Sequence, residues 1–500
     1  MYALGYDIGS SSIKAALVDL TTRQSVKVTQ YPASEMEINS PHAGWAEQDP
    51  NLWWEYVQHA TKELISGLSE HVIDNIAGIG LSYQMHGLVL LDENGSVLRP
   101  SIIWCDSRAV QTGDEALQLL TPEKCFEHLL NAPGNFTAAK FGWVHHNEPE
   151  VYQKIKHLIL PGDYIAYRFT GQINTTASGL SEGMLWDFVK HEPAKFALEA
   201  FGIKEEMIPD VVETFAEQGS VTSAVAQQLG IPAGIPVCYR AGDQPNNAMS
   251  LGVLQPGEVA ATGGTSGVVY AVMDQLIKDP ASRINSFAHV NHHKDQSRVG
   301  VLLCINGAGS LYRWIHQVAA AEKTYFQMEA AAEKIPIGAD GLMILPFGNG
   351  AERMLHNKHT GTQLLNIDLN RHTQAHIYRA ALEGIAFAFV YGMEMLEDLG
   401  VAIKLMKAGN DNLFQSRIFS TTISNLLQCE IQLLATTGAV GAAKAVAYSL
   451  GQTDDLEEAM SGLSIAETIM PDSAEQQALK SAYSRWKAQL EIQLNQLNNE

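Results

Sequence analysis

The sequence predicts an α/β protein of two domains that face each other across a cleft. Three observations carry this expectation. The chain has 500 residues, 46% of them apolar, which is more than one hydrophobic core usually organises. Stretches of strand character are interleaved with amphipathic helical ones, the mixture of an α/β domain. A hairpin with a Gly/Ser/Thr turn also occurs twice: "DIGSSS" lies between apolar runs near the start, and "GGTSG" lies inside "GEVAATGGTSGVVYAVM" in the second half. A feature repeated in both halves points to a duplicated unit.

Taken in order, residues 3–32 read as strand, "DIGSSS" turn, strand "IKAALVDL", turn "TTRQ" and strand "SVKVTQY". A helix follows in "DPNLWWEYVQHATKELISGL": Asp49 can cap it, Pro50 suits its first turn, and Leu52, Tyr56, Ala60 and Leu64 recur at helical spacing. The strand group "NIAGIGLSY" and "LVLLDENGSVLRPSIIW" contains a hairpin turn at Glu93–Ser96, and the element "QMHG", Gln84–Gly87, sits between its first two strands.

The strand "GIPVCYRAGD" predicts a domain change between Gly230 and Gly252, giving domains 1–248 and 249–500. In the second half, "AHIYRAALEGIAFAFVYGMEMLEDLG" predicts a buried helix, and "IKLMKAGNDNLFQSRIF" a strand ending at Gly409 and Asn410. "TTGAVGAAKAVAYSLG" predicts a small-residue helix suited to close packing. A last amphipathic helix runs from Ser473 through Leu479, Tyr483, Trp486, Leu490 and Leu494, with Ser473 and Gln476 placed for a capping box.

Composition excludes several function classes. A formal net charge of −22, with no basic cluster, repels a phosphate backbone and argues against nucleic-acid binding. No segment sustains the roughly 18 apolar residues of a membrane span. The five cysteines, Cys105, Cys125, Cys238, Cys304 and Cys429, are scattered and show no CxxC spacing. They predict no disulfide framework and a reducing, cytoplasmic setting, and the N-terminal "MYALGYDIG" lacks the features of an export signal.

The two small-residue turns, Gly9-Ser10-Ser11 and Gly264-Thr265-Ser266, can hold polyphosphate oxygens through backbone N–H groups and hydroxyls. Asp7 ends the first strand beside one of them, and a carboxylate next to phosphates calls for a cation between them; Mg2+, reached through water, is the expected ion. Lys14 either points at the same phosphates or stays a solvated strand lysine. Asp243, expected at a strand end, can take the proton of an attacking hydroxyl, or it caps the next helix.

In collinear order, "DIGSSSIKA", "GWAEQDPNLWW", "QMHG", "WCDSR", "LPGDY", "GDQPNNA", "GGTSG" and "AGNDN" cover almost the whole chain, and together it resembles the FGGY family of carbohydrate kinases. The resemblance implies two ribonuclease-H-like domains of the actin ATPase type with a catalytic cleft between them, the first mainly holding sugar and the second mainly ATP. It implies Mg2+ and ATP as cofactors and transfer to a ketopentose, D-xylulose giving its 5-phosphate, with ribulose, gluconate and glycerol as alternative acceptors. A homodimer is the assembly considered. By the family's pattern Asp243 is the base, Met85 an apolar wall and His86 a hydrogen-bonding partner for the sugar; Trp104 lines the sugar pocket. Thr265 comes near the γ-phosphate, and Gly409 and Asn410 serve adenosine. Two departures stand out: Gln244-Pro245 follows the base, and "KAGN" replaces the usual triple glycine. An actin-like nucleotide switch or a silent sugar sensor are the rival readings from other classes.

Overall fold

The computed structural model describes residues 1–499. β1 (Tyr2–Ile8), β2 (Ile13–Asp19) and β3 (Gln24–Tyr31) form the expected antiparallel meander. Helix α1 (Pro50–Ile65) begins where the Asp49 carboxylate accepts the Asn51 N–H at 2.9 Å, as its cap-then-proline sequence requires. β4 (Ile76–Tyr83) pairs with β1 in parallel, and β5 (Val237–Gly242) pairs with β4 in parallel. Between β4 and β5 lies a long insertion that includes α2 (Thr137–Asn147) and α3 (Ala177–Glu182). Helix α4 (Asp243–Ser250) follows β5 directly.

The second sheet repeats this plan. Its strands are β6 (Glu258–Gly263), β7 (Gly267–Met273), β8 (Asn285–Ala288), β9 (Val299–Ile305), β10 (Leu405–Gly409), β11 (Glu430–Leu434) and β12 (Ile465–Ile469), in the order β8-β9-β7-β6-β10-β11-β12. Without the edge strands β8 and β12, both sheets read third, second, first, fourth, fifth. In each, the first three strands are antiparallel and the last two run parallel to the first. The duplicated hairpin is therefore the visible part of a duplicated ribonuclease-H-like sheet.

The longer helices of the second half are α5 (Gly309–Ala319), α6 (Gln374–Asp398), α7 (Arg417–Leu427), α8 (Gly438–Ser449) and α9 (Ser473–Asn499). α6 is buried along most of its length, and α9 packs on the second domain, with Trp486 Nε1 donating to the Ile344 carbonyl at 2.9 Å. The cap of α9 lies one residue earlier than expected: Asp472, not Ser473, accepts the Ala474 N–H at 2.8 Å.

The small-residue helix α8 does not stay with its own half. It lies against the first sheet, where a Cβ on Gly5 would come within 2.0 Å of the Ala439 carbonyl and one on Gly80 within 2.0 Å of the Ala442 carbonyl. Glycines on two strands and alanines on the helix let the two backbones approach this closely. A second join is the outer edge of β8. Asn131 accepts the Ser286 N–H at 2.9 Å and donates to its carbonyl at 2.7 Å. Ser181 accepts the Ala288 N–H at 3.0 Å, while the Ser178 hydroxyl donates to the Ala288 carbonyl. Side chains of the first half thus complete a ladder that an open strand edge would leave unpaired. Among the described residues, no helix is long and apolar enough to cross a membrane.

Candidate active site

Asp7 is the penultimate residue of β1, directly opposite Lys14 in the β1–β2 ladder. The Ser82 hydroxyl donates to it at 3.0 Å. Burial raises its pKa, opposed by the Lys14 charge and the Ser82 bond. The N-terminus of α8 also reaches it: a Cβ on Gly438 would lie 2.8 Å from both Asp7 Oδ2 and Asn247 Oδ1.

The turn after β1 is held open by its surroundings. Gly9 N–H bonds the Ser12 carbonyl at 3.1 Å, the Ser10 carbonyl accepts from Gln48 Nε2 at 2.7 Å, and the Ser11 carbonyl accepts from Met36 at 2.8 Å. Trp104 Nε1 donates to Ser10 Oγ at 3.2 Å, and the ring remains 54% exposed, so it is a wall of an open surface and not core packing. Asp106 and Arg108, from the same segment, form a buried ion pair at 2.7 Å.

Asp243 was expected to end a strand. The strand stops one residue earlier, at Gly242, and Asp243 is the first residue of α4. Its pKa is pushed from 3.8 up to about 7, by burial first and by the Asp7 carboxylate next, against the backbone and side-chain amides of Gln244. Gln244 is thus placed to tune the carboxylate. The amides that follow tie two helices together: Asn246 Nδ2 donates to the Gly438 carbonyl at 3.0 Å, and Tyr239 donates to Asn246 Oδ1 at 3.1 Å. Pro245, in the first turn of α4, sacrifices no helical hydrogen bond.

The Met85-His86 turn packs against this point. Met85 is buried, and a Cβ on Gly242 would meet its Cγ at 2.6 Å. His86 has φ +64°, which an L-residue rarely adopts. Its Nδ1 lies 2.9 Å from the Glu182 carbonyl oxygen, which can only accept, so Nδ1 carries the proton and Nε2 keeps a lone pair. Burial, with Lys140 nearby, lowers the ring's pKa to about 3 and leaves it neutral. Phe136 and, from the second sheet, Phe287 enclose it at 4.7 and 5.3 Å between ring centroids.

On the other side, Gly264-Thr265-Ser266 turns between β6 and β7. The Gly264 and Thr265 carbonyls accept from the Gly309 and Ser310 N–H groups at 3.1 and 3.0 Å. Gly264 and Thr265 open onto a cavity of about 530 Å³, lined also by Gly309, Tyr312, Phe326 and Asn412. Gly409 and Asn410 do not line it. They border a separate cavity of about 420 Å³ with Thr436, Thr437 and Lys444. It is the turn just beyond them, Asn412–Gln415, that reaches the phosphate-loop cavity. Sequence reading missed Gly309, Tyr312 and Phe326; a Gly-Ala-Gly run after the strand "VGVLLCI" was the available signal. It also missed Lys140 and Glu182.

Could these residues hold Mg2+? Asp7 and Asp243 are close enough for one to raise the other's pKa, which a divalent cation would reverse. Among the described residues no group of three or more His, Cys, Asp or Glu side chains forms a metal cage. Two carboxylates without a cage suit an ion that keeps water and phosphate oxygens as its other ligands, as Mg2+ does.

Residues 2–250 match the N-terminal domain of the FGGY family of carbohydrate kinases, and residues 259–450 match its C-terminal domain. The chain is 30% identical to a xylulose kinase of Bacillus subtilis over 97% of its own length and 96% of that protein. It is 27% identical to one from Escherichia coli over 94% of each. A solved xylulose kinase structure from Rhodospirillum rubrum superimposes with a TM-score of 0.90 at 28% identity, covering 100% of both chains. With both halves matched in order, the chain belongs to the FGGY family of carbohydrate kinases.

Proposed function

We propose that the chain transfers the γ-phosphoryl group of ATP to D-xylulose, giving ADP and D-xylulose 5-phosphate. One observation carries this reading. The Gly242–Asp243 turn touches Met85 of the sugar-facing wall on one side and lies within electrostatic reach of Asp7, beside the first phosphate turn, on the other. The names of the relatives support the choice of sugar.

The Asp243 carboxylate accepts the proton of the sugar's terminal hydroxyl as that oxygen bonds to the γ-phosphorus, and the bond to the β,γ-bridging oxygen breaks. Neutral His86, with Nε2 as acceptor, takes a hydrogen bond from a second sugar hydroxyl. Met85 and the Trp104 ring face the C–H surfaces of the sugar. Backbone groups of Gly9–Ser11 and Gly264–Ser266, and the Thr265 hydroxyl, hold phosphate oxygens, with Lys14 adding positive charge next to Asp7. Bound beside Asp7, Mg2+ would neutralise charge on the phosphates. The five free cysteines fit a cytoplasmic, ATP-rich setting.

The test is ADP release from Mg–ATP with D-xylulose, D-ribulose, L-xylulose, gluconate, glycerol and no sugar. D-Xylulose-dependent release is the expected outcome. A stronger response to another sugar would replace the substrate, and no response to any would remove the kinase reading.

A further inference from the structure

His86 is held at three points by two residues that no sequence pattern marks. Its carbonyl accepts from Lys140 Nζ at 2.8 Å, its N–H approaches Glu182 Oε1 at 3.4 Å, and its Nδ1 bonds the Glu182 carbonyl at 2.9 Å. The Lys140 ammonium also donates to the Ile103 carbonyl at 3.0 Å, directly before Trp104. The Glu182 carboxyl presses on the base-bearing turn, since a Cβ on Gly242 would lie 2.3 Å from its Oε2.

Both groups are costly to keep. Lys140 is fully buried and Glu182 is 1% exposed. Lys140 forms no ion pair among the described residues; its Nζ is held by the His86 and Ile103 carbonyls, and burial lowers its pKa to about 7, opposed first by the Asp106 carboxylate. Burial, with Asp243 nearby, raises the Glu182 carboxyl well above the usual carboxylate range, opposed by hydrogen bonds from the His86 backbone and Tyr83. A buried lysine with nothing to do but brace the core would be replaced by an apolar chain at little loss. Here both acceptors belong to segments that carry sugar-facing residues.

We propose that Lys140 and Glu182 are positioning residues that fix His86, in its strained backbone conformation, as a hydrogen-bond acceptor in register with the Gly242–Asp243 turn. They touch neither sugar nor nucleotide; they act through His86. The inference rests on the kinase reading above.

A double-mutant cycle tests it on the full-length protein. Lys140→Met and Glu182→Ala should each lower kcat/KM for the sugar by about 10- to 100-fold, the cost of a small misplacement of a binding group. The KM for Mg–ATP should stay within about twofold. Glu182→Gln keeps a carbonyl for the His86 N–H and should remain within about threefold of the parent. In a His86→Ala background, Lys140→Met should cost less than about twofold, because the group it positions is gone. Undiminished losses in that background, a matching rise in the ATP KM, or a Glu182→Gln protein as impaired as Glu182→Ala would each overturn the inference. Turnover of no sugar by the parent protein would instead remove the kinase reading, and the inference with it.

Discussion

The two walls of the cleft are built by different means. On the proposed sugar side, Met85 is buried, and the half-buried His86 is held by side chains from α2 and α3. On the proposed nucleotide side, the cavity beneath Gly264 and Thr265 is lined by glycine backbone and by aromatic rings at the surface, Phe326 being 81% exposed. The sugar must be distinguished from its epimers by single hydroxyls, which requires acceptors fixed to a fraction of an ångström. A polyphosphate is held by many equivalent N–H groups, and a purine ring by any flat surface, so that wall tolerates looser construction. Mutations on the sugar wall should therefore act steeply and on one substrate; those on the nucleotide wall should act gently.

The largest effect is expected where the walls meet. Asp243→Asn should lower kcat by about three to four orders of magnitude with little change in either KM, measured by steady-state ADP release. The same substitution should stabilise the ligand-free chain. With its folded-state pKa raised from 3.8 to about 7, protonated Asp243 leaves folding undisturbed below its unfolded value, and stability is lost as pH rises from there through 7, where the buried carboxyl must ionise. Asparagine removes that loss, so the variant's melting temperature should exceed the parent's at pH 8, the gap narrowing toward pH 5. Equal melting temperatures at pH 8 would show that Asp243 is better solvated than its surroundings imply.

Next comes Gly242→Ala. A methyl group there meets the Glu182 carboxyl and the Met85 side chain at 2.3 and 2.6 Å, and both must move. Overpacking of this kind costs about 1–3 kcal/mol, and displacement of the adjacent Asp243, the proposed base, should lower kcat/KM for the sugar by about 100-fold. Parent-like kinetics would mean that the sugar wall yields, contrary to the contrast drawn above.

How much of this was legible depends on whether function coincided with a chain turn. Asp7, Asp243, "QMHG" and "GGTSG" are found in the sequence because each sits where a strand stops among small residues, a local signal. Lys140 and Glu182 lie inside helices, in "TAAKFGWV" and "GLSEGML", where nothing nearby distinguishes them. They meet the Met85-His86 turn because the insertion between β4 and β5 folds back onto it, and that is a tertiary fact. Gly409 and Asn410 show a different limit. The strand end was found, but the short helical turn after it carries the chain three residues further before it meets the phosphate loop. Likewise, the small residues of α8 announced close packing, while its partners, Gly5 and Gly80, belong to the other half of the chain.

A smaller effect is the pH profile. If Asp243 is the base, as proposed, it must be ionised to accept a proton, and sugar turnover should fall below pH 7, approaching about tenfold per unit at the acid extreme. Asp7 is the second cause of the raised pKa, so Mg–ATP bound beside it should shift the midpoint of kcat below that of kcat/KM for the sugar measured at low ATP. Coincident midpoints would place the cation away from Asp7.

The smallest effect tests the open wall. Phe326 lines the cavity below the phosphate turn with most of its ring in solvent, so it gains little burial from the fold and is free to meet a purine. Stacking of a base on an aromatic ring is worth about 1–3 kcal/mol, and the lower end applies to a ring with one face wet. Phe326→Ala should therefore raise the KM for ATP by about fivefold while leaving kcat and the sugar KM unchanged. A hundredfold rise would mean that this wall is as tightly specified as the other. A change in the sugar KM would mean that the two walls are mechanically coupled through β8, where Asn131 and Ser181 already join them.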